Sequence, residues 1–221
     1  MPRRTVGPKG DVVERHSAAR RATAAPPTTQ GGVKRIEVSI VGVAPGMLHH
    51  RFPEAIMAGL VNPVKLTGRK NLNAEDEAEA AAYRMEDGRL CQPAEHVYAA
   101  MVKAGTAFMI QGRGKTTYRD AVKGGLLVEP DPLIPLLTPA GKPIMSYLID
   151  ARPARVQRAR VMRHRPLIQT WRLDLTLIIL DEETFPATVA NAILVKAGQT
   201  VGIGDYRPRF GRFTVTKWKE D

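Results

Sequence analysis

Trp171, Leu173, Leu175, Leu177 and Ile179 alternate with Arg172, Asp174 and Thr176, and an alternation this long predicts a strand with one buried face. The segment after it narrows the context. Pro186 opens a stretch in which Phe185, Val189 and Ile193 share one helical face, with Gly198 as the predicted stop. Then comes a loop, Gly202 to Arg212, that carries Gly204, Tyr206, Arg207, Arg209 and Phe210, and after it a strand pattern from Phe213 to Trp218. Upstream, Val156 to Arg165 reads as extended and arginine-rich, and is predicted to form an antiparallel hairpin with the Trp171 strand.

The first half supplies matching pieces. Ile36, Val38 and Ile40 alternate with Glu37 and Ser39, a half-buried strand, so ordered structure is predicted to begin near Arg35. Asn73 is placed to cap an acidic, alanine-rich helix reaching Tyr83, with acids in the first turn where the helix dipole favours them. Glu86-Asp87-Gly88-Arg89 reads as a tight turn. After Pro93, Val97, Met101 and Ala104 recur at helical spacing until Gly105. These elements predict an α+β protein: a modified ferredoxin-like or RRM-like antiparallel sheet with helices on one face and a long basic insertion. Residues 34–221 are read as one domain. Residues 1–33 are read as a disordered basic tail, because Arg3, Arg4, Lys9, Arg15, Arg20 and Arg21 stand there without apolar periodicity.

Charge points to the partner. The 221 residues carry a formal net charge of +11, which favours a polyanion. From Arg152 to Arg172 there are seven arginines and no acid, whereas Glu75 to Glu95 holds seven acids, predicted to lie elsewhere on the surface. No apolar run approaches the roughly 18 residues of a membrane span, and no secretory leader is visible. The expectation is a cytoplasmic protein of a bacterial or phage-infected cell, without membrane association. One cysteine, Cys91, excludes an internal disulfide and a multi-cysteine zinc site. No cofactor motif is present: Gln111-Gly-Arg-Gly-Lys-Thr-Thr117 has Met109 where a Walker-type loop needs glycine, which leaves a mobile basic loop with Arg113 and Lys115.

The candidate nucleic-acid contacts are therefore Arg113, Lys115, Arg152, Arg155, Arg158, Arg160, Arg163, Arg165, Arg207, Arg209 and Arg212 for phosphates. Gly204 serves close backbone approach, and Tyr206 and Phe210 offer faces for bases. Aromatic residues make up only 5%, so phosphate neutralisation carries most of the affinity. His49, His50 and His164 are the candidates for acid–base chemistry. Adjacent His49 and His50 face opposite sides of a strand and do not share a metal.

Two stretches resemble a known family. Tyr83-Arg-Met-Glu-Asp-Gly-Arg-Leu-Cys-Gln-Pro-Ala-Glu-His-Val-Tyr-Ala-Ala-Met-Val is similar to the turn, strand, proline and helix passage of RAMP proteins, the RNA-binding backbone subunits of CRISPR effector complexes. Gly202-Ile-Gly-Asp-Tyr-Arg-Pro-Arg-Phe-Gly-Arg212 resembles that family's glycine-rich loop and stands between helix and final strand, as it does there. Pro93 to Ala99 departs from the pattern by lacking the Gly-Ser-Ser and the lysine that open the family's first helix. The chain also resembles an uncharacterised phage-encoded family. The RAMP resemblance implies a ferredoxin-like core holding a single strand against an arginine-lined face, as a homo-oligomer or filament with other ribonucleoprotein subunits. Two other readings stand beside non-enzymatic binding of single-stranded RNA or DNA: a metal-independent endoribonuclease, and a phage single-stranded DNA-binding or virion assembly protein.

Overall fold

The structure, a computed structural model, describes residues 32–51, 73–156 and 159–221, and no side chain within 155–159. The tail reading at residues 1–31 and the side chains of Arg155 and Arg158 lie outside the described residues. In chain order the described elements are β1 (Lys34–Gly42), β2 (Met47–Leu48), α1 (Ala74–Ala81), β3 (Cys91–Pro93), α2 (Ala94–Gly105), α3 (Arg119–Gly125), β4 (Leu126–Glu129), β5 (Leu133–Pro135), β6 (Leu148–Val156), β7 (Ala159–Ile168), β8 (Arg172–Ile179), α4 (Ala187–Thr200) and β9 (Phe213–Glu220).

The two strongest alternations pair with each other. β1 and β8 run antiparallel with Ile36 opposite Leu177, Val38 opposite Leu175 and Ile40 opposite Leu173, so their apolar rows lie on one face. β4 and β9 flank them in the order β4-β8-β1-β9, all neighbours antiparallel. The class is α+β with antiparallel sheets. Val97, Ala100, Met101 and Ala104 of α2, and Ala190, Ile193, Leu194 and Ala197 of α4, share one core with those strands. Each such Leu or Ile, fully buried, contributes about 1.5–3 kcal/mol before chain entropy is set against it.

Several local expectations hold. Asn73 Oδ1 accepts the Asp76 N–H at 2.7 Å, capping α1, and the Glu86–Arg89 turn closes between Arg84 and Leu90 with Gly88 at φ +83°. Others need correcting. α4 runs through Gly198 to Thr200, because Gly198 lies against β9: a Cβ there would come within 2.2 Å of the Phe213 carbonyl oxygen. That glycine permits close packing and does not end the helix. The arginine-rich segment does not pair with β8 either. β7 pairs along its whole length with β6, from Leu148 opposite Leu167 to Val156 opposite Ala159, and its Leu167–Ile168 end pairs with β2. β8 is already bonded on both edges, by β1 and β4, so no edge is left for β7. Residues Gln111–Lys115 form a hydrogen-bonded turn: the Ile110 N–H donates to Thr116 O at 2.8 Å and the Tyr118 N–H to Phe108 O at 2.9 Å.

Candidate nucleic-acid interface

The glycine-arginine loop between α4 and β9 is stitched to the β1–β2 connection by main-chain bonds. Gly211 N donates to Gly46 O at 2.8 Å, Asp205 N to Leu48 O at 2.8 Å, and Ile203 N to Gly211 O at 2.9 Å. Gly211 sits at φ +76°, and a Cβ there would lie 1.6 Å from the Ile203 oxygen, so no other residue fits that crossing. Gly204 also has positive φ, and so does Tyr206, at 58°, a conformation uncommon for a non-glycine residue. Ile203 and Phe210 anchor the underside of the loop, at 0% and 1% exposure. Arg207, Arg209 and Arg212 are exposed on its outer side, and among the described residues none of them forms an ion pair. Arg212 donates from Nε to the Pro208 carbonyl oxygen at 2.9 Å.

β6 and β7 bring their arginines to this loop. Arg152 is the register partner of Arg163, and Asp150 of Arg165. The Arg152 guanidinium carbon lies 5.8 Å from the Tyr206 ring centroid, close to Phe210 as well. Arg165 is 9% exposed, with Nε 2.8 Å from Asp205 Oδ2; the pair is poorly aligned, and Nε and Nη1 have no hydrogen-bond acceptor. Arg160 is exposed and unpaired among the described residues.

The acidic segment does not lie elsewhere on the surface. Glu77 of α1 sits at the β7 edge, where its carboxylate accepts from Arg163 Nη1 at 3.0 Å, the His164 N–H at 3.2 Å and His164 Nδ1 at 2.7 Å. Burial raises the Glu77 pKa, but the hydrogen bonds from His164 and Arg163 outweigh it and hold the carboxyl below its ordinary value. Three arginines of the two strands are thus matched by carboxylates from three places: Arg152 by Asp150, Arg163 by Glu77 and Arg165 by Asp205. The seven-arginine window ends two residues short of Asp150. That same-face i, i+2 pair was a signal available in the sequence.

Other candidates fall apart from this group. Arg113 and Lys115 stand beyond the C-terminal end of α2, whereas His96 in its first turn feels the charge of Arg207. A twelve-residue helix puts roughly 18 Å between those ends. Phe210, expected to offer a face for bases, is buried under Arg152, while Tyr206 is 47% exposed. The outer face of the main sheet is lined by Glu37, Ser39, Glu129, Arg172, Asp174, Thr176 and Lys217. Its charges are paired, as in Arg172–Asp174 and Lys217–Glu37, and none of these residues is aromatic.

The histidines occupy contrasting places. His49 is fully buried. Its Nδ1 accepts the Tyr83 N–H at 3.3 Å, which puts the ring proton on Nε2, and burial foremost, with the nearby His96, pushes its pKa down to about 3. A base sealed from solvent and neutral in this way has a structural role. His50 is also lowered, by burial first, with Asp205, Arg165, Arg163 and Glu77 around it. His164 is engaged by Glu77. Among the described residues no group of three His, Cys, Asp or Glu side chains is placed to hold a metal ion, and no helix is long and apolar enough to cross a membrane. No family model matches the chain, and no curated protein matches it either.

Proposed function

We propose that the chain binds single-stranded nucleic acid, chiefly through its phosphates, at the surface formed by the glycine-arginine loop and the β6–β7 ribbon. The observation that carries this reading is the state of Arg207 and Arg209: exposed, without an acid partner among the described residues, and held on a loop fixed by its own main-chain bonds. Cations kept free of internal partners on a rigid support lose little entropy when they meet a phosphate chain. Tyr206 supplies one open aromatic face beside them, for stacking worth about 1–3 kcal/mol per base. The carrier is a modified ferredoxin-like core, a reading supported by the order β9-β1-β8-β4 with α2 in the connection from β1 to β4 and α4 in that from β8 to β9. RNA is favoured over DNA, and assembly as a repeating backbone subunit is favoured over a lone binder, on the RAMP resemblance alone.

Salt dependence tests it. Arg160, Arg207, Arg209 and Arg212, with Arg155 and Arg158 at the ribbon tip, make about six phosphate contacts. The slope of log affinity against log salt for a labelled single strand is then near −4, at about −0.7 per contact. A slope near zero overturns the proposal.

A further inference from the structure

Glu77 holds three donors that suit an anion of another kind. A guanidinium N–H, a main-chain N–H and an imidazole nitrogen converge on its two oxygens at 2.7–3.2 Å, from two consecutive residues of β7. Such a set also matches the oxygens of a phosphate. The helix that delivers the carboxylate is lightly held. α1 has eight residues, too few to be stable by itself, and its buried residues are two alanines, Ala78 and Ala81, neither belonging to the main core. Its other ties are the Glu79 contacts with Arg84 and Tyr147, and the Ala81 carbonyl accepting from the Arg51 N–H at 2.9 Å. Arg163 lies opposite Arg152 in the register, and Arg152 reaches the loop at Tyr206, so the surface beneath Glu77 continues the proposed interface.

We infer that Arg163 and His164 form a covered phosphate seat, filled by the Glu77 carboxylate in the free protein and by a strand phosphate in the complex. The acidic helix then acts as an internal competitor, and the ribbon is fully open only to a polyanion able to displace it. This rests on the proposed nucleic-acid binding and adds to it a site and its control.

The test uses the full chain, a labelled 20-nucleotide oligouridylate and two variants of equal net charge. Glu77→Gln frees the seat, whereas Glu79→Gln removes an acid of the same helix whose partners are Arg84 and Tyr147. Glu77→Gln is expected to bind about threefold to tenfold tighter than wild type, with a salt slope steeper by about 0.7 for the added contact. Glu79→Gln is expected to change affinity less than about twofold, since its carboxylate lies outside the seat. Arg163→Gln, in the chain that keeps Glu77, should weaken binding and make the slope shallower by about the same amount. Equal behaviour of the two glutamate variants overturns the seat, and so does an unchanged affinity of Arg163→Gln. If wild type binds and only the seat-specific differences are missing, the seat falls and the interface stands. If neither wild type nor any variant retains the oligonucleotide, both fall.

Discussion

The guanidinium of Arg152 lies 4.6 Å from the ring centroid of Phe210, while its Nε is held by both oxygens of Asp150 at 2.7 and 2.9 Å. One arginine therefore closes the loop's apolar underside and ties it to the ribbon. Arg152→Ala should lower stability by about 1–2 kcal/mol, read as a shifted urea midpoint, because a partly desolvated cation–π contact and an ion pair are lost together. Phe210→Ala should cost more, about 3–5 kcal/mol, since a buried ring is removed. Equal effects would show that the ring is held by something other than Arg152.

Arg207 and Arg209 predict the opposite pattern. Replacing both by alanine removes no ion pair among the described residues, so melting temperature and circular dichroism should stay within the range of ordinary surface changes, about 0.5 kcal/mol. Single-strand affinity should fall by roughly tenfold or more, with the salt slope shallower by about 1.4. A loss of stability with binding intact would instead make these arginines structural.

Gly211→Ala should disable the loop. The new Cβ would sit 1.6 Å from the Ile203 oxygen in a backbone conformation at φ +76°, so the crossing of the two loop arms must open. A loss of several kcal/mol is expected, with weaker binding even where the variant remains folded. Near-wild-type stability would show that the two arms are not held together at this crossing.

Acid stability should carry the mark of His49. Its folded pKa, about 3, is depressed below the ordinary 6.5 by burial first and by nearby positive charge second. Between those values the unfolded chain binds a proton that the folded chain does not. Stability therefore falls as pH drops from 6.5 towards 3, by about 1.4 kcal/mol per pH unit for that one proton, and is unaffected above 6.5. Urea unfolding at stepwise pH should show this slope in wild type and a flatter one in His49→Gln. Parallel curves would mean that His49 is not the group responsible.

The sheet was legible because Ile36–Ile40 and Trp171–Ile179 alternate strictly, and a period of two admits one buried face. The Asn73 cap and the Gly88 turn were legible for local reasons that need no distant partner. Pairings between distant segments were the part that failed. Nothing in Val156–Arg165 says whether its partner precedes or follows it, and the sequence hides that β8 is bonded on both edges. Glu77 and Arg163 are 86 residues apart, so a count of charges by window assigns them to different surfaces. Phe210 looked like a free ring because tyrosine, arginine and proline surround it, whereas its burial follows from Gly211 crossing Ile203.

Proline placement along the strands has a bearing on how copies of this chain meet. Pro153 stands midway in β6, an outer strand, and offers no N–H to a newcomer, while β4 runs directly into Pro130 and Pro132. The remaining long margin, β9, carries Lys217 and Lys219 and an irregular register near Ser39 and Ile40. Molecules crowded side by side on one polyanion would thus find their sheets reluctant to fuse. Contacts between neighbours would fall to loops and side chains, which separate again when the polymer is withdrawn.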